Sequence, residues 1–123
     1  VMGPARKGRK FTYMTDTVAL ESVLPYIADS DLLISEGMFT EEHRETAWAK
    51  KHMTAADAAR LAARAGGIRR MGLIHYSPRF TNRQLKALLA EARAHFPGSF
   101  LTRDRMHLEI PYQEELPAAL PER

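Results

Sequence analysis

Apolar residues recur along this chain in two rhythms. The first is the short, nearly continuous run. "KFTYMT" (Lys10–Thr15) is aromatic and β-branched and predicts a strand. "DLLISEG" (Asp31–Gly37) and "IRRMGLIHYS" (Ile68–Ser77) are apolar at almost every position over Leu32–Ile34 and Met71–Ile74. Strands of that kind are covered on both faces. "SFLTRD" (Ser99–Asp104) and "MHLEIPY" (Met106–Tyr112) predict two further short strands. The second rhythm is helical. "VALESVLPYIADS" places Val18, Leu20, Val23, Leu24 and Ile27 at helical spacing, with a bend expected at Pro25. "TEEHRETAWAKKH" opens with Thr40 as an N-cap before an acidic turn, and Trp48 is expected in the core. "TAADAARLAARAG" begins at Thr54, meets Asp57 at the capping-box position and stops at Gly66–Gly67. "TNRQLKALLAEARAHFPG" is the clearest helix, with Leu85, Leu88, Leu89 and Ala92 on one face. Residues 1–10 read as a basic turn, and the tail from Gln113, with Pro117 and Pro121, as frayed.

This alternation of strands and helices predicts an α/β fold. The helices suffice to cover one face of its sheet. Too little chain is left for the other face, so a partner layer is expected there.

The 123 residues suit one compact domain or a piece of a larger one. With 45% hydrophobic and 27% charged residues the chain is ordinary globular material. There is no cysteine, which excludes disulfides and thiolate metal sites and fits a reducing, cytoplasmic setting. No apolar run approaches the roughly 20 residues needed to span a bilayer, and no signal peptide is visible. The opening "VMGP" reads as mid-protein sequence, so a fragment is expected. The net charge of +3 leans only weakly toward an anionic partner.

Chemistry-bearing residues gather at strand ends. Asp16, Glu36 and His75 each follow or close a predicted strand, where α/β sheets collect their ligands. Carboxylate and imidazole donors there suit zinc or manganese. His52 precedes the Thr54 cap, at a helix N-terminus that attracts phosphate. Each has a plainer reading: Asp16 as a helix cap, Glu36 as a solvated loop residue, His52 as an exposed helix-entry residue and His75 as a buried, satisfied histidine. Spacing alone supports an α/β domain compatible with metal dependence.

The ordered set of segments says more. "GPARKGRKFTYMTDT", "ADLLISEGMF", "HMTAADAARLA", "GLIHYSPRF", "EARAHFP" and "MHLEI", from about Gly3 to Ile110, resembles the C-terminal half of ribonuclease Z. That family comprises the tRNA 3′-processing endonucleases of the metallo-β-lactamase superfamily. The resemblance implies half of an αββα sandwich, one sheet with helices on one face, over residues 1–112, with 113–123 as tail. It implies that Asp16 and His75 are metal ligands meeting at one sheet edge. It implies that His52 protonates the leaving oxygen, that Glu36 orients a histidine, and that Thr54, Ser77, Arg79, Lys7 and Arg9 lie near the RNA. Zinc is the implied cofactor, two ions in a complete enzyme, with manganese as the alternative. Pre-tRNA is the implied substrate, and no membrane is involved.

There are departures. Ser35 stands for the first histidine of the family's His-Glu-Ala-Thr motif, Gly37 and Met38 for its Ala-Thr, and Met53 for the serine of His-Ser-Thr. The family's His-x-His-x-Asp-His motif is absent. Asp16 and His75 alone fall short of the roughly three protein ligands of a catalytic zinc. The expectation is therefore a chain inactive by itself, holding metal weakly, and completed by a homodimer mate or by a missing N-terminal half. Other readings are a different hydrolase of the same fold, such as a phosphodiesterase, and a non-catalytic dimerising half-domain.

Overall fold

A computed structural model describes residues 8–15, 21–37, 39–74 and 80–112. Four strands, β1 (Phe11–Met14), β2 (Leu32–Glu36), β3 (Arg70–Ile74) and β4 (Ser99–Leu101), form one sheet in the order β1-β2-β3-β4. Every neighbouring pair is parallel. The helices are α1 (Leu24–Ile27), α2 (Arg44–Ala49), α3 (Ala55–Ala65) and α4 (Asn82–His95). Short 3-10 turns, Glu21–Val23 and Glu41–His43, lead into α1 and α2.

One-sided coverage follows from this topology. Parallel neighbours need crossovers, and crossovers share one hand. When successive strands add on in a single direction, equal handedness puts every crossover on the same face. There Leu33, Met71 and Leu73 of the sheet pack with Ala58, Ala59 and Ala62 of α3, Leu88 and Ala92 of α4, and Ile27 of α1. The alanines let α3 lie close to the sheet and to α4. Each fully buried leucine contributes about 1.5–3 kcal/mol by leaving water.

The opposite face carries Leu32, Ile34 and Phe100, and it is covered in part by Met106, Leu108 and Ile110. Here the sequence expectation is corrected. "MHLEIPY" alternates as a strand would, with Met106, Leu108 and Ile110 half-buried and His107 and Glu109 exposed, but it forms no strand. The alternation arises because the segment lays one side on the sheet face without pairing at an edge. Arg9 helps hold it, donating from Nη1 to the Ile110 carbonyl at 3.2 Å. The cover is incomplete: Phe11 and Tyr13 on β1 remain 54% and 59% exposed.

Other local differences have physical causes. Pro25 bends nothing, because it sits in the first turn of the four-residue α1, where a missing N–H costs little. Thr40 makes no side-chain cap bond. Trp48 is 62% exposed, not core: on the short α2 the inward place is taken by Ala47. The capping box predicted at Thr54 and Asp57 is formed, and α4 has its own at Thr81 and Gln84. Gly66 and Gly67 adopt φ of 80° and 73°, the left-handed region that ends α3. Among the described residues no helix is long and apolar enough to cross a membrane.

Candidate active site at the ends of β2 and β3

The parallel register sets Glu36, the last residue of β2, beside Ile74, the last of β3. The next residue, Gly37, donates its N–H to the Ile74 carbonyl at 3.0 Å, which extends the pairing past the strand. A side chain at Gly37 would come within 3.3 Å of the Ala55 Cα, so the bare glycine lets the start of α3 approach the end of β2. Phe39 and Thr54 then form a parallel bridge, with the Ala55 N–H donating to the Phe39 carbonyl at 2.9 Å. The chain between them makes the Glu41–His43 turn and α2 and returns at His52, whose N–H donates to the Ala47 carbonyl at 2.8 Å.

This loop brings an imidazole to a buried carboxylate. His52 Nδ1 lies 2.7 Å from Glu36 Oε2. Glu36 is fully buried, whereas the His52 side chain keeps 22% of its surface exposed. With the carboxylate as acceptor, the pairing assigns the hydrogen to Nδ1, which donates it. That fixes the tautomer and the ring plane, and it leaves Nε2 as the nitrogen that can take up or release a proton. The short distance is that of a charge-assisted bond.

A second polar cluster anchors the loop. Glu41 Oε1 accepts from Arg44 Nη2 at 2.6 Å, from the Thr54 hydroxyl at 3.0 Å and from Arg60 Nη1 at 3.3 Å. Asp57 Oδ1 pairs with Arg44 Nη1 at 2.9 Å and with Arg60 Nη1 at 3.0 Å. The Glu41 N–H in turn donates to Glu91 Oε2 on α4 at 3.1 Å. Burial pushes the Glu41 carboxyl upward. The bonds from Arg44 and Thr54, with the charges of Arg44 and Arg60, outweigh it and hold the group below the ordinary 4.5. The sequence reading missed this cluster. Its signal is the opposite charges three apart in Glu41–Arg44 and Asp57–Arg60.

The expected site residues divide as follows. Glu36 and His52 meet. Thr54 is fully buried; its hydroxyl accepts from the Asp57 N–H at 3.0 Å and donates to Glu41, so its observed work is to cap α3 and tie it to the loop. Arg9 is exposed; besides Ile110, its guanidinium lies 4.3 Å from the centre of the Tyr112 ring. Asp16, His75, Ser77, Arg79 and Lys7 lie outside the described residues. Among the described residues no three His, Cys, Asp or Glu side chains are grouped to hold a metal ion. The two donors that do meet here, Glu36 and His52, are turned to each other.

Comparison with known proteins supplies the family. The sequence pattern described as the beta-lactamase superfamily domain matches residues 2–76. The chain belongs to that superfamily. The shape agrees: the metallo-beta-lactamase fold protein YhfI from Bacillus subtilis superposes with a TM-score of 0.62 at 30% identity, over 72% of this chain and 34% of its own. The ribonuclease Z resemblance is borne out as well. Ribonuclease Z of Treponema denticola is 46% identical over 114 residues, 93% of this chain and 37% of its own length. The Treponema pallidum enzyme is 47% identical over 93% of this chain and 36% of its own, and that of a Nostoc species 39% identical over 92% and 36%. The chain thus spans little more than a third of the curated relatives it matches.

Proposed function

We propose that this chain is the part of a ribonuclease Z-type, metal-dependent endonuclease that holds the proton donor for cleaving the 3′ trailer from pre-tRNA. The observation that carries the reading is the Glu36–His52 pair at the C-terminal end of a parallel sheet. Bond cleavage at phosphorus expels a 3′ oxygen that needs a proton. His52 Nε2, left available by the Nδ1–H···Glu36 bond, delivers it. Glu36 acts through His52, by fixing its tautomer and orientation. The burial of Glu36 keeps water from competing for that bond.

Asp16 and His75 are assigned as metal ligands. They follow β1 and β3 in the sequence, and those strands flank β2 in parallel register, which supports the assignment. When bound, the zinc or manganese ions activate water and neutralise charge on the phosphate. Lys7, Arg9, Ser77 and Arg79 are assigned to the RNA, and Thr54 to holding the His52 loop. The remaining ligands come from outside this chain. The 54% and 59% exposure of Phe11 and Tyr13 supports a partner on the open sheet face, either the rest of the enzyme or a second copy. The cytoplasm is assigned as its setting, alongside tRNA maturation.

A chimera tests this. Residues 1–123 replace the matching segment of the Treponema denticola enzyme. The chimera should release the 3′ trailer from pre-tRNA with added zinc, and D16A and H75A should each abolish release. A folded chimera without cleavage would overturn the proposal.

A further inference from the structure

The turn that closes α2, Trp48 to His52, has three features that the proton-donor role of His52 does not use. Trp48 is 62% exposed, a large apolar surface left in water on a segment with room to bury only Ala47. Lys50 and Lys51 are exposed and form no ion pair with any described residue, whereas Arg44, Arg60 and Arg64 are each matched to a carboxylate. Lys51 also sits at φ 59°, the left-handed region that costs an L residue energy. Glycine would relieve that cost. The turn is well fixed, with the N–H groups of Lys50 and Lys51 donating to the carbonyls of Thr46 and Trp48 at 3.0 and 3.1 Å. His52 follows directly.

We infer that this turn is a contact for single-stranded RNA beside the cleavage site, the Trp48 indole stacking on a base and Lys50 and Lys51 pairing with the flanking phosphates. The inference rests on the proposed RNA substrate and adds a subsite to it. An exposed aromatic next to unpaired cations is the combination that binds single strands without reading sequence. A protein partner would also cover an indole, but it would gain nothing from two lysines without acids of its own.

Trp48 is the only tryptophan, so its fluorescence reports on this turn alone. Titrating the chain with a single-stranded RNA octanucleotide should quench that emission saturably, with an affinity that falls steeply as salt rises. W48A, followed with labelled RNA, should weaken binding about 5- to 150-fold, the range for loss of one stacked base. K51G separates a binding role from a structural one: it relieves the backbone and should leave the chain at least as stable, while weakening RNA binding severalfold. No quenching by RNA, or K51G binding as tightly as the parent, would overturn the inference. The two readings fail separately. In the chimera, W48A cleaving pre-tRNA with unchanged KM, or Trp48 emission already shifted to that of a buried indole, sinks the subsite and spares the endonuclease. Quenching by RNA together with a folded chimera that cannot cleave does the reverse.

Discussion

Replacing His52 with alanine takes an imidazole away from a carboxylate that has no contact with solvent. Glu36 is then left inside the protein with one strong donor fewer. A hydrogen bond to a charged group is worth about 1.5–3 kcal/mol net. Breaking one side of a buried pair reaches about 3–5 kcal/mol. Because 22% of the His52 side chain is exposed, water partly replaces the lost donor, and the smaller range applies. The clean measurement is a double-mutant cycle over E36A, H52A and the double variant, each unfolded in urea and followed by far-ultraviolet circular dichroism. H52A should lower the midpoint by about 1 M for an m-value of about 2 kcal/mol/M. The cycle removes the cavity left by E36A and reports the pair alone. A coupling of about 1.5–3 kcal/mol is expected. A coupling inside the additivity error of about 0.5 kcal/mol would show that the two side chains do not engage and would refute the positioning argument.

Thr54→Ala deletes the α3 cap and the bond to Glu41, and should cost about 1–2 kcal/mol by chemical denaturation, with Thr54→Ser recovering most of it. Glu41 has a carboxyl held below 4.5, so it stabilises the fold fully above that value and loses this contribution as pH falls through its lowered folded value. Glu41→Gln should therefore be less stable than the parent near neutrality and show a flatter acid limb in pH-dependent melting; an unchanged acid limb would contradict the cluster. Leu73→Ala, at a fully buried position under the helices, should cost about 2–5 kcal/mol in the same urea assay, and a loss below about 1 kcal/mol would place the core elsewhere.

Much of this architecture was legible because local rules and burial agreed. Leu32–Ile34 and Met71–Ile74 read as strands through their unbroken apolar character, and both lie in the centre of the sheet. Thr54 and Asp57 announced the start of α3 through a motif whose partners are three residues apart. The failures came where tertiary position decided the outcome. Trp48 looked like core by composition, yet α2 is too short to turn two faces inward. "MHLEIPY" carried a strand's alternation, which records that one side is buried and says nothing of what buries it. Family resemblance implied that Glu36 orients a histidine but did not single out His52, since the contact spans a loop whose path depends on the Phe39–Thr54 bridge and the bare Gly37. Glu41 reaches Thr54 and Arg60 by the same folding of the loop, which no local spacing records.

The central claim is that His52 gives a proton to the departing 3′ oxygen, and substituting that oxygen tests it most directly. Two pre-tRNA substrates are compared in the chimera under single-turnover conditions, one natural and one with sulfur as the 3′ leaving atom, which departs readily without a proton. H52A should slow the natural substrate about 10²- to 10⁴-fold, the usual contribution of general acid catalysis, and the sulfur substrate far less. Equal slowing of both substrates would show that His52 does not protonate the leaving group.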